Sequence, residues 1–172
     1  MMKPLVVTIW VNFHNQFEFM GFFDLMNWPT GPAPELLAWN RWQLGFMSEN
    51  HVRCLPNVPT VTKLVPIESR KDGIKALFMK LDSSRILILE NRTSVGFDRQ
   101  LPKWASGVLV YLVDLNIKTG DGPIKIVKNH SADSSKIFTQ ALQNGESTFY
   151  NGILIENLSN SNAQILVRVS KS

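Results

Sequence analysis

The sequence predicts a mainly β, sandwich-like protein with one short helix near the N-terminus. Three observations lead there. From Pro59 onward, short runs rich in Val, Ile, Leu and Thr alternate with turn residues almost to the last position. The clearest helical spacing of apolar residues lies near the start, over residues 34–45. A chain of 172 residues, 44% hydrophobic and 19% charged, has the composition of one soluble globular domain, long enough to bury about 70% of its unfolded surface.

Taken in order, residues 1–20 form an atypical N-terminal segment in which Leu5-Val-Val-Thr-Ile-Trp-Val11 reads as a strand, because β-branched residues dominate it. Residues 21–46 carry an aromatic turn, Gly21-Phe-Phe-Asp24-Leu25-Met26-Asn-Trp28, followed by the helix. Pro34 suits a helix's first turn, where its missing N–H costs nothing. Leu36, Trp39 and Trp42 fall three apart, Leu37 and Leu44 broaden that stripe, and Gly45 supplies a left-handed stop. Residues 47–172 read as a β-rich unit. Strands are expected over 60–67, 74–81 and 85–92, the last two joined at Asp82-Ser-Ser84, whose short polar side chains bond their own backbone. Ile86-Leu-Ile-Leu89 and Val108-Leu-Val-Tyr-Leu-Val113 are continuous apolar runs, as expected of central strands covered on both faces. Gly120-Asp-Gly-Pro123 delivers a strand over 124–128, and residues 134–142 have room for a helical turn with Ile137, Ala141 and Leu142 inward. The last 30 residues read as a meander over 146–150, 152–158 and 163–170, with Ile165, Val167 and Val169 on the buried face.

The net charge of +4 comes from eighteen Lys and Arg residues scattered from Lys3 to Lys171, a pattern that argues against a nucleic-acid groove. Nothing approaches the 18 or more apolar residues of a membrane span. The apolar run at Leu5 is short and no small-residue cleavage site follows it, so a signal peptide is not expected. Cys54 is a single cysteine, so no internal disulfide forms, and it reads as a buried, inert thiol.

His14, His51 and His130 are each alone in sequence, and no His-Glu-x-x-His is present. A zinc peptidase of that kind needs two imidazoles one helical turn apart and a glutamate between them. No Gly-x-Ser-x-Gly elbow and no phosphate-binding Gly loop occur either. Glu90 and Arg92 stand two apart on a strand with Asn91 between them, so they share a face and are placed to pair side by side. Asp114 ends a strand and is placed to cap the turn at Asn116. These acids lack a catalytic partner at any recognisable spacing, so their reading is architectural and no catalytic residue is assigned.

Four motifs follow one another: the Gly21–Gly45 turn and helix, Glu90-Asn91-Arg92, the Gly96-Phe-Asp-Arg-Gln-Leu-Pro102 loop, and Gly107-Val-Leu-Val-Tyr111-Leu-Val-Asp114. In this order they resemble the segment just beyond the zinc site in secreted metallopeptidases of the immune inhibitor A family, over roughly residues 20–128. The resemblance implies the β-rich, partly incomplete C-terminal part of such an enzyme, inactive alone. In the complete parent, zinc-bound water would attack a peptide carbonyl while a glutamate outside this chain moved the proton. The implied partner is a missing N-terminal catalytic half, the implied cofactor of that parent is zinc with none in this chain, and the implied location is extracellular. Under it, Gly21, Asp24, Leu25, Met26, Trp39, Leu44, Gly45, Glu90, Asn91, Arg92, Gly107, Tyr111 and Asp114 are structural motif residues. Met26 would lie in a Met-turn below the metal, or simply fill core volume. Leu112 stands where many relatives have a histidine.

A second reading, from the residues alone, is a free-standing β-sandwich binding glycan or protein through exposed tryptophans. Trp39 and Trp42 belong to the core by their spacing, which leaves Trp28 and Trp104 in wet loops.

Overall fold

The computed structural model describes residues 19–21, 23–25, 34–56, 58–130, 141–161 and 164–171. The strand expected over Leu5 to Val11, Met26, Trp28, His14 and most of the 134–142 segment lie outside these residues.

Two open sheets and a helical layer make up the fold. The first sheet runs β1 (Val52–Cys54), β3 (Ala76–Lys80), β4 (Arg85–Arg92), β5 (Gly107–Asp114), β6 (Ile124–Ile126), all antiparallel except the β1 to β3 pair. The second runs β2 (Thr60–Leu64), β9 (Gln164–Lys171), β8 (Ile153–Ser161), β7 (Ser147–Tyr150), all antiparallel. One short helix, α1 (Ala38–Gln43), lies near the N-terminus. Among the described residues no helix is long and apolar enough to cross a membrane.

β4 sits at the middle of its sheet, and its period of two explains both cores. Leu87 and Leu89 face the second sheet, where they meet Leu77, Val110, Ile155, Val167 and Val169 in one apolar layer. Ile86 and Ile88 face the other way, onto Phe78, Tyr111 and the α1 layer of Phe23, Leu37 and Trp39. The continuous apolar runs of β4 and β5 are therefore covered on both faces, as the sequence predicts. The second sheet buries one face only. On β9, Ile165, Val167 and Val169 point inward while Arg168 points out, pairing with the directly opposed Glu156 at 2.6 and 2.9 Å.

Turn chemistry holds these strands in register. Asp82 Oδ1 accepts the N–H groups of Ser84 at 2.9 Å and Arg85 at 2.8 Å, closing the β3–β4 hairpin. Asn151 (φ 49°) and Gly152 (φ 77°) make a two-residue left-handed loop between β7 and β8. Gly107 begins β5 with φ 152°, and a Cβ there would run into the Leu142 carbonyl. That carbonyl accepts from Val108 N at 3.0 Å and brings the buried Ala141 and Leu142 against the sheet.

Several expectations are corrected. The strand expected over 60–67 stops at Leu64, because Val65 and Ile67 turn away to bond Ile74 and Asn91. Strand β1 and three short 3-10 turns were not legible. β8 continues to Ser161, with a register shift between Asn157 and Ser159, where a turn was expected. Cys54 is exposed, not buried, because β1 is an edge strand. Trp104 is half-buried against the helical-side core instead of lying in a wet loop.

Candidate functional site

The motif residues converge beneath α1. Glu90 and Arg92 share the face of β4 that looks toward the helix, and both are wholly buried. Arg92 Nη1 donates to Glu90 Oε1 at 3.1 Å, the side-by-side pair that the strand period predicts. The 3-10 turn Gly96–Gln100 carries Asp98 back onto the same guanidinium, which grips it through Nε and Nη2 at 2.6 Å each. The remaining capacity of Arg92 goes to the carbonyls of Phe23 (2.8 Å) and Glu35 (3.0 Å), so all five of its N–H groups are used.

The same acids cap the helix. A helix leaves its first backbone N–H groups unpaired, and here distant side chains accept them. Asp98 Oδ1 takes Glu35 N at 3.0 Å, Asp24 Oδ2 takes Leu37 N at 3.1 Å, and Glu90 Oε2 takes Ala38 N at 2.7 Å. The Tyr111 hydroxyl accepts from Trp39 N at 3.1 Å and donates to Glu90 Oε2 at 2.8 Å. Asp24 also receives Asn40 Nδ2 at 3.0 Å. Leu37, at φ −58° and ψ 150°, is the non-helical N-cap, so the helix begins at Ala38 and not at Pro34. It ends at Gln43, so Leu44 is 40% exposed instead of extending the apolar stripe, and Gly45 turns left-handed at φ 80°.

Burial disfavours the charged carboxylate of Glu90 and raises its pKa, while Arg92, the Ala38 amide and the Tyr111 hydroxyl pull it back. Burial and the nearby Glu90 push Tyr111 well above the usual phenol range, which keeps its proton in place as a donor. Burial opposes the charge on Arg92, but Asp98 and Glu90 outweigh it and raise its pKa. At the edge of the cluster Glu68 accepts Asp98 N at 3.1 Å and is raised by burial and by its hydrogen bond with Glu35.

Other motif residues stand elsewhere. Asn91 faces the second sheet and donates to Leu64 O at 2.9 Å. Gly107 lies opposite Arg92 in the β4–β5 register, and Asp114 caps the Asn116 amide at 2.9 Å as expected. Gly21 is buried and Leu25 is 37% exposed. Leu112 faces Leu87 across the strand pair. His51 lies 3.6 Å from Asp72, and His130 Nδ1 is 3.0 Å from the Thr148 hydroxyl.

Sequence reasoning missed Asp98, Glu35 and Glu68. The signal for Asp98 was its place six residues after Arg92 in a Gly-containing loop, a distance from which a short turn returns an acid to the strand end. Among the described residues no group of three or more His, Cys, Asp or Glu is arranged to hold a metal ion. Glu90, Asp98 and Arg92 are fully engaged with one another and with backbone, an arrangement suited to holding α1 and the turn at Asp24 rigidly on the sheet. No family model matches this chain, and no curated protein or solved structure matches it.

Proposed function

We propose that this chain is the β-rich, non-catalytic buttress of a zinc metallopeptidase resembling the immune inhibitor A family. It has no peptide hydrolysis of its own. One observation carries the reading: Asp24, Trp39, Glu90, Arg92 and Tyr111, quoted from separate motifs, meet in a single buried network. In this reading the partner is a catalytic half that carries zinc, and the complete enzyme is extracellular. Leu25, Leu44, Phe46 and Phe97 support a docking role, since all are exposed and are carried by the α1-side segments.

Two measurements test it. Casein incubated with this chain and added zinc stays intact, whereas cleavage that a chelator abolishes would overturn the assignment. The coding DNA upstream of Met1 should encode an in-frame His-Glu-x-x-His, and an upstream stop codon with a promoter beside Met1 contradicts the reading.

A further inference from the structure

The six-residue α1 is too short to cover the whole face of the first sheet. Beyond its C-terminal end a groove of about 530 Å³ opens, a size typical of small-molecule sites. Phe78 and Ile86 line it together with the tilted pair Trp39 and Trp42, whose ring centroids are 5.5 Å apart with 49° between the planes, and with Leu55 and Leu115. Trp42 also meets Phe78 edge to face at 5.4 Å, so the rings form a continuous wall and leave no cage between them.

Three polar features qualify this apolar surface. Asp82 lies at the groove, but its oxygens are occupied by Ser84 and by Arg85, whose Nε is 2.6 Å away. Lys80 lies there too, and among the described residues its ammonium has no ion-pair partner, so the uncompensated charge at the groove is positive. Trp39, 3% exposed, carries a buried indole N–H with no acceptor among the described residues.

We propose that this groove binds a small anionic amphiphile, its apolar body against Trp42, Phe78 and Ile86 and its acidic head at Lys80. An apolar lining rewards a hydrocarbon or ring body, and a lone ammonium beside it rewards one negative charge and not a polyhydroxylated sugar. The proposal stands on the groove alone and is independent of the peptidase reading.

Decanoate is the probe. Titrated into the full chain, it should shift tryptophan emission saturably, with Kd below about 1 mM, and should protect Cys54, which also lines the groove, from iodoacetamide. Lys80→Met should weaken binding about tenfold, the scale of one charge-assisted hydrogen bond. The neutral analogue 1-decanol should bind wild-type protein more weakly by a similar factor. Absence of saturation, equal binding of decanol and decanoate, or unchanged affinity in a folded Lys80→Met protein each overturns the proposal. Should circular dichroism show that variant unfolded, the decanol comparison on wild type decides.

Discussion

Arg92 donates every N–H it has inside the protein, and that makes it the residue whose loss costs most. Arg92→Leu strands Glu90 and Asp98 as buried acids without their cation, so urea unfolding should show a loss of about 3–5 kcal/mol. Arg92→Lys should recover little, because an ammonium cannot reproduce the fork that spans both Asp98 oxygens. Tyr111→Phe removes only the hydroxyl between Trp39 N and Glu90, and should cost about 1–3 kcal/mol with the fold intact. Glu68 supplies a pH dependence. Its raised folded pKa favours the protonated form, so its contribution is complete below the ordinary value of 4.5 and declines as pH rises through the folded value. Glu68→Gln keeps an acceptor for Asp98 N and places a donor toward Glu35. Its stability above pH 4.5 should exceed wild type, and equal stabilities in urea melts from acid to neutral pH would refute this. At this scale the Glu90 and Arg92 pair was legible, since residues two apart on a strand share a face. Asp98 was not, because only the 3-10 turn brings it home.

The six residues of α1 are fewer than an isolated helix needs in water. The helix exists because Asp24, Glu90 and Tyr111 accept its first N–H groups and because Leu37, Ala38 and Trp39 are buried. Asp24→Ala removes the acceptor for Leu37 N and for Asn40, and should cost about 1–2 kcal/mol. Hydrogen exchange should then speed at the Leu37 amide before it speeds in β4 or β5. Equal protection of that amide in both proteins would show that the cap is dispensable. β4 was legible to its observed bounds and β5 to within one residue at each end, because continuous apolar runs between turn signals have few alternatives, whereas β8 runs three residues past its expected end at Leu158. β1 escaped notice: three residues, half-buried or exposed, leave no period to read, and its parallel pairing with β3 is flanked by Lys75 N donating to His51 O and Leu55 N donating to Phe78 O, both at 2.8 Å.

At the scale of the whole molecule, the first sheet is covered by the second sheet on one face and by the α1 layer over part of the other, where the groove at Phe78 and Ile86 stays open. Val61 and Phe149 are exposed on strands of the second sheet, while Leu25, Leu44, Phe46 and Phe97 are exposed on the α1-side segments. If they meet a catalytic half, the chain alone should self-associate with rising concentration in sedimentation velocity, and Phe46→Ser with Phe97→Ser should suppress it. A concentration-independent monomer would contradict that use of the surface. The sequence by itself determined the local matters: a mainly β chain, one short helix, the hairpin at Asp82, the inward face of β9, and the shared face of Glu90 and Arg92. Each follows from side-chain period and turn chemistry within a few residues. Only the tertiary structure decided where the helix starts, which acid caps which amide, that Cys54 is exposed, and that a groove is left beyond Trp42. Those outcomes depend on burial and on hydrogen bonds between residues far apart in the chain, whose strength arises only when packing excludes water.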